Sequence, residues 1–258
     1  MPGLHPLDTT NLSSKLSWEK PERKDQAGSI VILGGVSLKL KEVDTIFKSA
    51  NKAGIGNIQT LVPESLARVF KREEQLLTGL IFDNYYGLTD VGQKLLLEEL
   101  AMSDGLILAD IGSSSATEYK LALAISKTYK PVVITDSAIN LVLHYPDEIL
   151  NNEKISLVIN FKNLQKIIKI SDVKLTKPLL SSSSFNQITE VLSILDKHIQ
   201  ANIVLHDENR IIATEDNFYY SQKTNELSLE VAALLLCWQI WTPRFKLLEQ
   251  LYGVGINQ

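Results

Sequence analysis

The chain has 258 residues, 45% of them hydrophobic and 22% charged, which supplies enough apolar side chain for one large layered core. Lysine and arginine total 26 against 30 acidic residues, and the net charge of -4 leaves no basic footprint for a nucleic-acid backbone. A lone cysteine, Cys237, excludes an intrachain disulfide framework and a cysteine metal cluster.

Residues 1–28 are polar, carry Pro2, Pro6 and Pro21, and show no sustained periodicity, so they read as an N-terminal arm. Asp8, Asn11 and Glu19 interrupt any secretory apolar stretch, and a cytoplasmic location is expected. Residues 29–258 are expected to form one α/β domain. The run 29–33 is a β-branched strand ending in Gly34-Gly35, and Val43, Ile46, Phe47 and Ala50 then recur at helical spacing up to Gly54. Residues 58–62 give the next strand, Leu66, Val69 and Phe70 a helix, and residues 80–82 a short strand.

The alternation continues with a helix over 91–102, a strand at 106–109, a helix over 119–128 and strands at 131–135 and 157–159. Serines 181–184 read as a loop entering a helix over 184–198, whose apolar face is Phe185, Ile188, Val191, Leu192 and Leu195. Strands alternating with helices imply right-handed crossovers and a mainly parallel sheet covered on both faces. Residues 203–205 and 210–213 flank Asp207-Glu208-Asn209, the signal of a late antiparallel hairpin. The apolar run 231–241, broken by Gln239, is about half of the roughly 20 residues that a membrane span needs. It reads as a buried helix with Cys237 inert inside it, and no membrane association is expected.

Three blocks carry a resemblance. Residues 23–28 precede a strand ending in Gly34-Gly35, Lys52-Ala53-Gly54-Ile55-Gly56 precedes the next strand, and Lys130-Pro131 leads a strand into Asp136-Ser137-Ala138-Ile139-Asn140-Leu141. In order and spacing, from about residue 23 to 241, the chain resembles the ADP/ATP-dependent NAD(P)H-hydrate dehydratases, whose fold is ribokinase-like. That resemblance implies ATP or ADP with magnesium as cofactor, hydrated NADH or NADPH as substrate, and a homo-oligomer. The family phosphorylates the nicotinamide hydroxyl and then eliminates phosphate. This chemistry needs a carboxylate to take the hydroxyl proton and backbone N–H donors at a helix N-terminus to hold the phosphoryl oxygens.

In the family both come from a Gly-Ser-Gly-Asp segment, and here that position reads Leu227-Ser228-Leu229-Glu230. Glu230 is the candidate catalytic carboxylate, one methylene longer than the family's Asp; its alternative role is an acid in a first helical turn capped by Ser228 or Asn225. By the same resemblance, Ser228, Asn225, Gly112 and Asp110 are candidate nucleotide-binding residues, and Gly34, Gly35, Asn140 and His206 candidate substrate-binding residues. No metal ligands are expected, since no histidines have a zinc-pair spacing. The family's Gly-Pro-Gly turn becomes Asp110-Ile111-Gly112, where Asp110 also suits a helix cap. Its first Asp-x-Asp becomes Thr135-Asp136-Ser137, with Asp136 expected to point away from the family's acids because side chains alternate on an extended segment. Its Thr-Pro-His-x-x-Glu becomes 160–165 without the His or Glu, and its Lys-Gly becomes His206-Asp207. Because framework landmarks persist while chemical residues change together, the expectation is a dehydratase-like protein with impaired or lost catalysis, kept for binding or assembly. The alternative is an active dehydratase that uses Glu230 and Asp110.

Overall fold

In the computed structural model, which describes residues 4–36, 40–63, 76–77, 87–207 and 209–256, the apolar runs at the centre of the chain are strands buried along their whole length. Val132–Thr135 (β6) and Ile155–Ile159 (β7) are buried at every position, as is Gly105–Ala109 (β5). Parallel strands covered on both faces have this continuous apolar character. Ser29–Gly34 (β2), Asn57–Leu61 (β3), Leu76–Leu77 (β4) and Asn202–Asp207 (β8) complete the parallel part. Arg210–Glu215 (β9) and Phe218–Lys223 (β10) run antiparallel, and His5–Pro6 (β1) pairs in parallel with β10. The ten strands among the described residues form one sheet in the order β1-β10-β9-β8-β7-β6-β5-β2-β3-β4. This is the mainly parallel sheet with a late antiparallel hairpin that the sequence predicts.

Successive strand residues point to opposite faces, and the core divides accordingly. Val31, Leu33, Leu106, Leu108, Ile134 and Leu157 join one cluster, while Ile30, Ile32, Ile107, Val133 and Val158 join the other. The first cluster packs under Asp90–Met102 (α3), Ser115–Ile125 (α4), Ile139–His144 (α5), Pro146–Leu150 (α6), Phe161–Ile170 (α7) and Phe185–Asp196 (α8). The second packs under Leu12–Glu19 (α1), Leu40–Ala53 (α2), Ser228–Trp241 (α9) and Leu247–Ile256 (α10).

Helix α9 is apolar around its whole circumference, and such a helix must be enclosed. It packs on β5, β6 and β7 beside α2, with Leu235, Leu236, Cys237 and Trp238 at most 1% exposed. Each large side chain buried there contributes about 1.5–3 kcal/mol, so α9 is a structural centre. Burial pushes the Cys237 thiol up to about 12. Native protein is therefore expected to resist a thiol reagent at neutral pH on the timescale on which the unfolded chain reacts fully; equal native and unfolded labelling rates would contradict this packing.

Serine 184 caps α8, and its backbone N–H donates to Gln187 Oε1 at 2.8 Å in a reciprocal capping box. Lys130 donates to the carbonyls of Leu100 at 2.6 Å and Ala101 at 2.8 Å, and also to that of Ser103. A cation at these last carbonyls of α3 complements the helix dipole, which explains the lysine of the Lys130-Pro131 block structurally.

Some elements depart from the sequence expectation. The polar lead-in contains α1, whose Leu12 and Leu16 are buried; two apolar residues one turn apart are too short a stripe to register as periodicity. β10 was hidden by its aromatic-polar composition, although its turn, Asp216-Asn217, has positive φ at both residues (49° and 66°), as a type I′ hairpin turn requires. The helix at Leu66, Val69 and Phe70 and the strand at 80–82 lie outside the described residues.

Candidate functional site

In an open α/β sheet, ligand crevices form beyond the carboxyl ends of the strands, where the strand order reverses. Here β2 connects onward to β3 on one side, whereas β5 lies on the other, so the reversal falls between Gly34 at the end of β2 and Ala109 at the end of β5. The two strand ends approach closely: a Cβ on Gly34 would stand 1.8 Å from the Ala109 carbonyl oxygen. The next turns are tied together as well. Val36 N–H donates to Asp110 C=O at 2.9 Å, and a Cβ on Gly112, whose φ is 76°, would meet Val36 Cγ1 at 2.7 Å. The buried Val36 side chain therefore sits over the reversal point. Sequence reasoning did not single out Val36; the only signal was its place after Gly34-Gly35.

Candidate residues Gly34, Gly35, Asp110 and Gly112 thus meet at one place, with Gly35 at φ 77°. Asp110 is 3% exposed, with φ 52°, and it does not cap α4, because Ser114 takes that role. Its N–H donates to Ser137 Oγ at 2.9 Å. Thr135 Oγ1 donates to Leu108 C=O at 3.0 Å and lies 3.1 Å from Ser137 Oγ. The hydroxyls at 135 and 137 thereby join β6 to β5. The extended segment expected here ends at Thr135; Asp136 opens a 3-10 turn over Asp136–Ala138, and its Oδ1 accepts from Asn160 N–H at 2.8 Å and Asn163 Nδ2 at 2.7 Å. That carboxylate positions the start of α7. Asn140 is half-buried in the first turn of α5.

On the hairpin side, His206 Nε2 lies 3.0 Å from Glu226 C=O, which fixes the imidazole to the segment leading into α9. The N-cap of α9 is Leu227, with extended backbone at φ -71° and ψ 157°, so the expected capping by Ser228 or Asn225 is corrected. Ser228 is the first helical residue and Asn225 an exposed loop residue. The Leu227 N–H donates to Glu230 Oε2 at 2.6 Å. Leucine has no side-chain acceptor, so this is the acidic half of a capping box without its reciprocal bond. From residue 224 to 230 no φ is positive.

The Glu226 carboxyl is raised above its ordinary range, first by burial, then by the hydrogen bond and charge of Glu230, with Lys52 opposing. A group with a raised folded value contributes stability that is complete below its unfolded value, about 4.5, and lost as pH rises through the folded value. Glu226→Gln is therefore expected to gain stability relative to the parent between about pH 4 and about pH 7.5. Urea unfolding at both pH values measures the difference; a difference that is constant or shrinks with pH would contradict the raised Glu226 carboxyl.

Among the described residues no group of three or more His, Cys, Asp or Glu side chains could hold a metal ion, and no helix is long and apolar enough to cross a membrane.

No protein-family model matches the chain, and no curated protein matches it in sequence. Solved structures do match in fold. A ribokinase-like superfamily protein from Enterococcus faecalis V583 superposes at TM-score 0.69 with 13% identity, covering 99% of this chain and 86% of that one. The ADP/ATP-dependent NAD(P)H-hydrate dehydratase from Bacillus subtilis, co-crystallised with ATP/Mg2+, superposes at 0.66 with 10% identity, covering 99% and 87%. Hydroxyethylthiazole kinase from Pyrococcus horikoshii OT3 gives 0.58 with 8% identity, covering 95% and 81%. The fold is ribokinase-like.

Proposed function

We propose that this chain is a dehydratase-like member of the ribokinase-like fold that has lost or much reduced the nucleotide-dependent chemistry and acts by binding or assembly. The observation that carries this reading is the 2.6 Å bond from Leu227 N–H to Glu230 Oε2. A carboxylate that is to deprotonate a substrate hydroxyl must face the substrate, and a helix start that is to hold phosphate must present its N–H groups outward. Here the one occupies the other. Bringing the backbone close to phosphate is the task of left-handed glycines, and a leucine in that conformation costs roughly 1–2 kcal/mol; Leu227 is instead extended. Val36, over the strand reversal, adds to the obstruction. These residues do not fit ATP or ADP with magnesium, so no phosphoryl step is assigned to them.

The second reading is an active ADP/ATP-dependent NAD(P)H-hydrate dehydratase, and the closeness of Glu226 to Glu230 favours it, because neighbouring carboxyls are a common acid–base arrangement. Glu230→Ala separates the two. As a helix cap, Glu230 contributes about 1 kcal/mol, so the variant is expected to lose stability of that order and to leave any NADH regeneration from its hydrate unchanged. Steady turnover by the parent that vanishes in Glu230→Ala would establish the second reading.

A further inference from the structure

A concavity of about 370 Å³ opens at the amino ends of the central strands, at the opposite end of the sheet from Gly34 and Ala109. Ligand pockets start at roughly 300 Å³. Tyr129 stands at its rim before β6, Asn202 opens β8 and Glu215 closes the antiparallel β9, while Gln239 of α9 and Gln250 of α10 complete the polar wall.

The amides of this wall are oriented by the acceptors their hydrogens meet. Gln250 Nε2 donates to the Thr242 carbonyl at 3.0 Å and the Phe245 carbonyl at 3.1 Å, so both of its hydrogens are taken. Asn202 Nδ2 donates to the Glu153 carbonyl at 3.2 Å and reaches that of Ile155 at 3.5 Å. Carbonyls only accept, and what these two side chains keep for a ligand is the oxygen. Gln239 Nε2 donates to the buried Ser156 Oγ at 2.7 Å, and its Oε1 is enclosed without a hydrogen-bond partner. An acceptor left unmade in the interior is costly, and a turn of this side chain toward an entering donor would supply the missing bond.

The charges of the wall are unequal once their partners are counted. Lys154 Nζ lies 3.0 Å from Glu153 Oε1, and Lys246 Nζ lies 2.6 Å from Asp216 Oδ2. No cation among the described residues forms an ion pair with Glu215, whose two oxygens accept from Leu247 N–H at 3.3 Å and Leu248 N–H at 3.2 Å at the start of α10. A carboxylate has about four lone-pair sites, so each oxygen can accept once more. The rings of Tyr129 and Phe245 border the same space, and aromatic faces attract cations.

We propose that this concavity binds a compact organic cation rich in N–H donors, a guanidinium or primary ammonium compound, with Glu215 as its counter-charge and the Asn202 and Gln250 amide oxygens as further acceptors. Charge-assisted bonds to a carboxylate are the stronger class of hydrogen bond. The site shares no residue with the strand ends or the start of α9, and it stands or falls independently of the reading above.

Titration calorimetry of the full chain with agmatine and putrescine, and with xylitol and citrate as neutral and anionic controls, tests this. Saturable binding of at least one of the two cations is expected at a Kd below about 1 mM, and of neither control. Preference for agmatine or for putrescine identifies the guanidinium or the ammonium as the recognised group. Glu215→Gln keeps an oxygen for the α10 N–H groups and removes the charge, and it is expected to weaken cation binding roughly tenfold or more. Tyr129 is 91% exposed, so Tyr129→Ala is expected to melt with the parent and to weaken binding about two- to fivefold; this variant decides the matter if Glu215→Gln does not fold. No saturable binding of either cation, equal binding of xylitol or citrate, or parent-like binding in a folded Glu215→Gln would overturn the proposal.

Discussion

Gly34→Ala is expected to lower folding stability by about 3 kcal/mol or more, the upper end of what adding one methyl group to a packed core does. The added Cβ would stand 1.8 Å from the Ala109 carbonyl oxygen, 2.9 Å from the Ala109 carbonyl carbon and 3.3 Å from Val43 Cγ2. Two of these three atoms are backbone of the adjacent strand, so no rotamer change relieves the contact. β2 and β5 must part by over an ångström at the carboxyl end of a ladder that registers Ile30 through Gly34 against Gly105 through Ala109. Each backbone bond weakened there is worth about 1 kcal/mol. Since domains are stable by only about 5–15 kcal/mol, the variant should unfold at markedly lower urea concentration. A loss below about 1 kcal/mol would mean that the strand ends are not packed as described.

The second large effect is on chemistry. Regeneration of NADH from its hydrate with ATP or ADP is expected to run roughly 10,000-fold or more below the rate of an intact site of this type. One misplaced reacting group by about 1 Å lowers a rate about 100-fold, and one lost anion-stabilising donor lowers it about 100- to 1,000-fold. Both defects meet at the start of α9, where Glu230 is held on Leu227 N–H. They compound because they act on the same transition state. A single-turnover assay with excess enzyme measures the rate; turnover within about tenfold of an intact site would contradict the account.

The sheet was legible in the sequence because fully buried parallel strands are short unbroken apolar runs, and 29–33, 106–109, 131–135 and 157–159 are such runs. α9 was legible from its even apolarity. The turn at Asp216-Asn217 and strand β10 were not, since Tyr219, Tyr220, Ser221 and Gln222 give no clean alternation, and the left-handed backbone of the turn appears only in the structure. At the candidate site, Thr135 and Ser137 join β5 and Asp136 faces α7, but a 3-10 turn over Asp136–Ala138 sets these directions, not the strand alternation expected from the sequence. What the sequence could not supply was contact between distant segments. Val36 covers Gly112 and His206 meets the Glu226 carbonyl, pairings that depend on crossovers of many residues. The capping at Leu227 was misassigned for a related reason. Ser228 and Asn225 are the residue types that favour caps, but the carboxylate of Glu230 reached the N–H first.

Calorimetric titration of the full-length chain with ATP, and separately ADP, each with magnesium, tests the central claim most directly, because it asks whether the strand ends and the start of α9 can hold a nucleotide at all. The account predicts no saturable heat from either nucleotide at concentrations up to about 1 mM, equivalent to less than about 4 kcal/mol of binding. A Kd in the micromolar range, abolished when Glu230 is replaced by alanine, would contradict it.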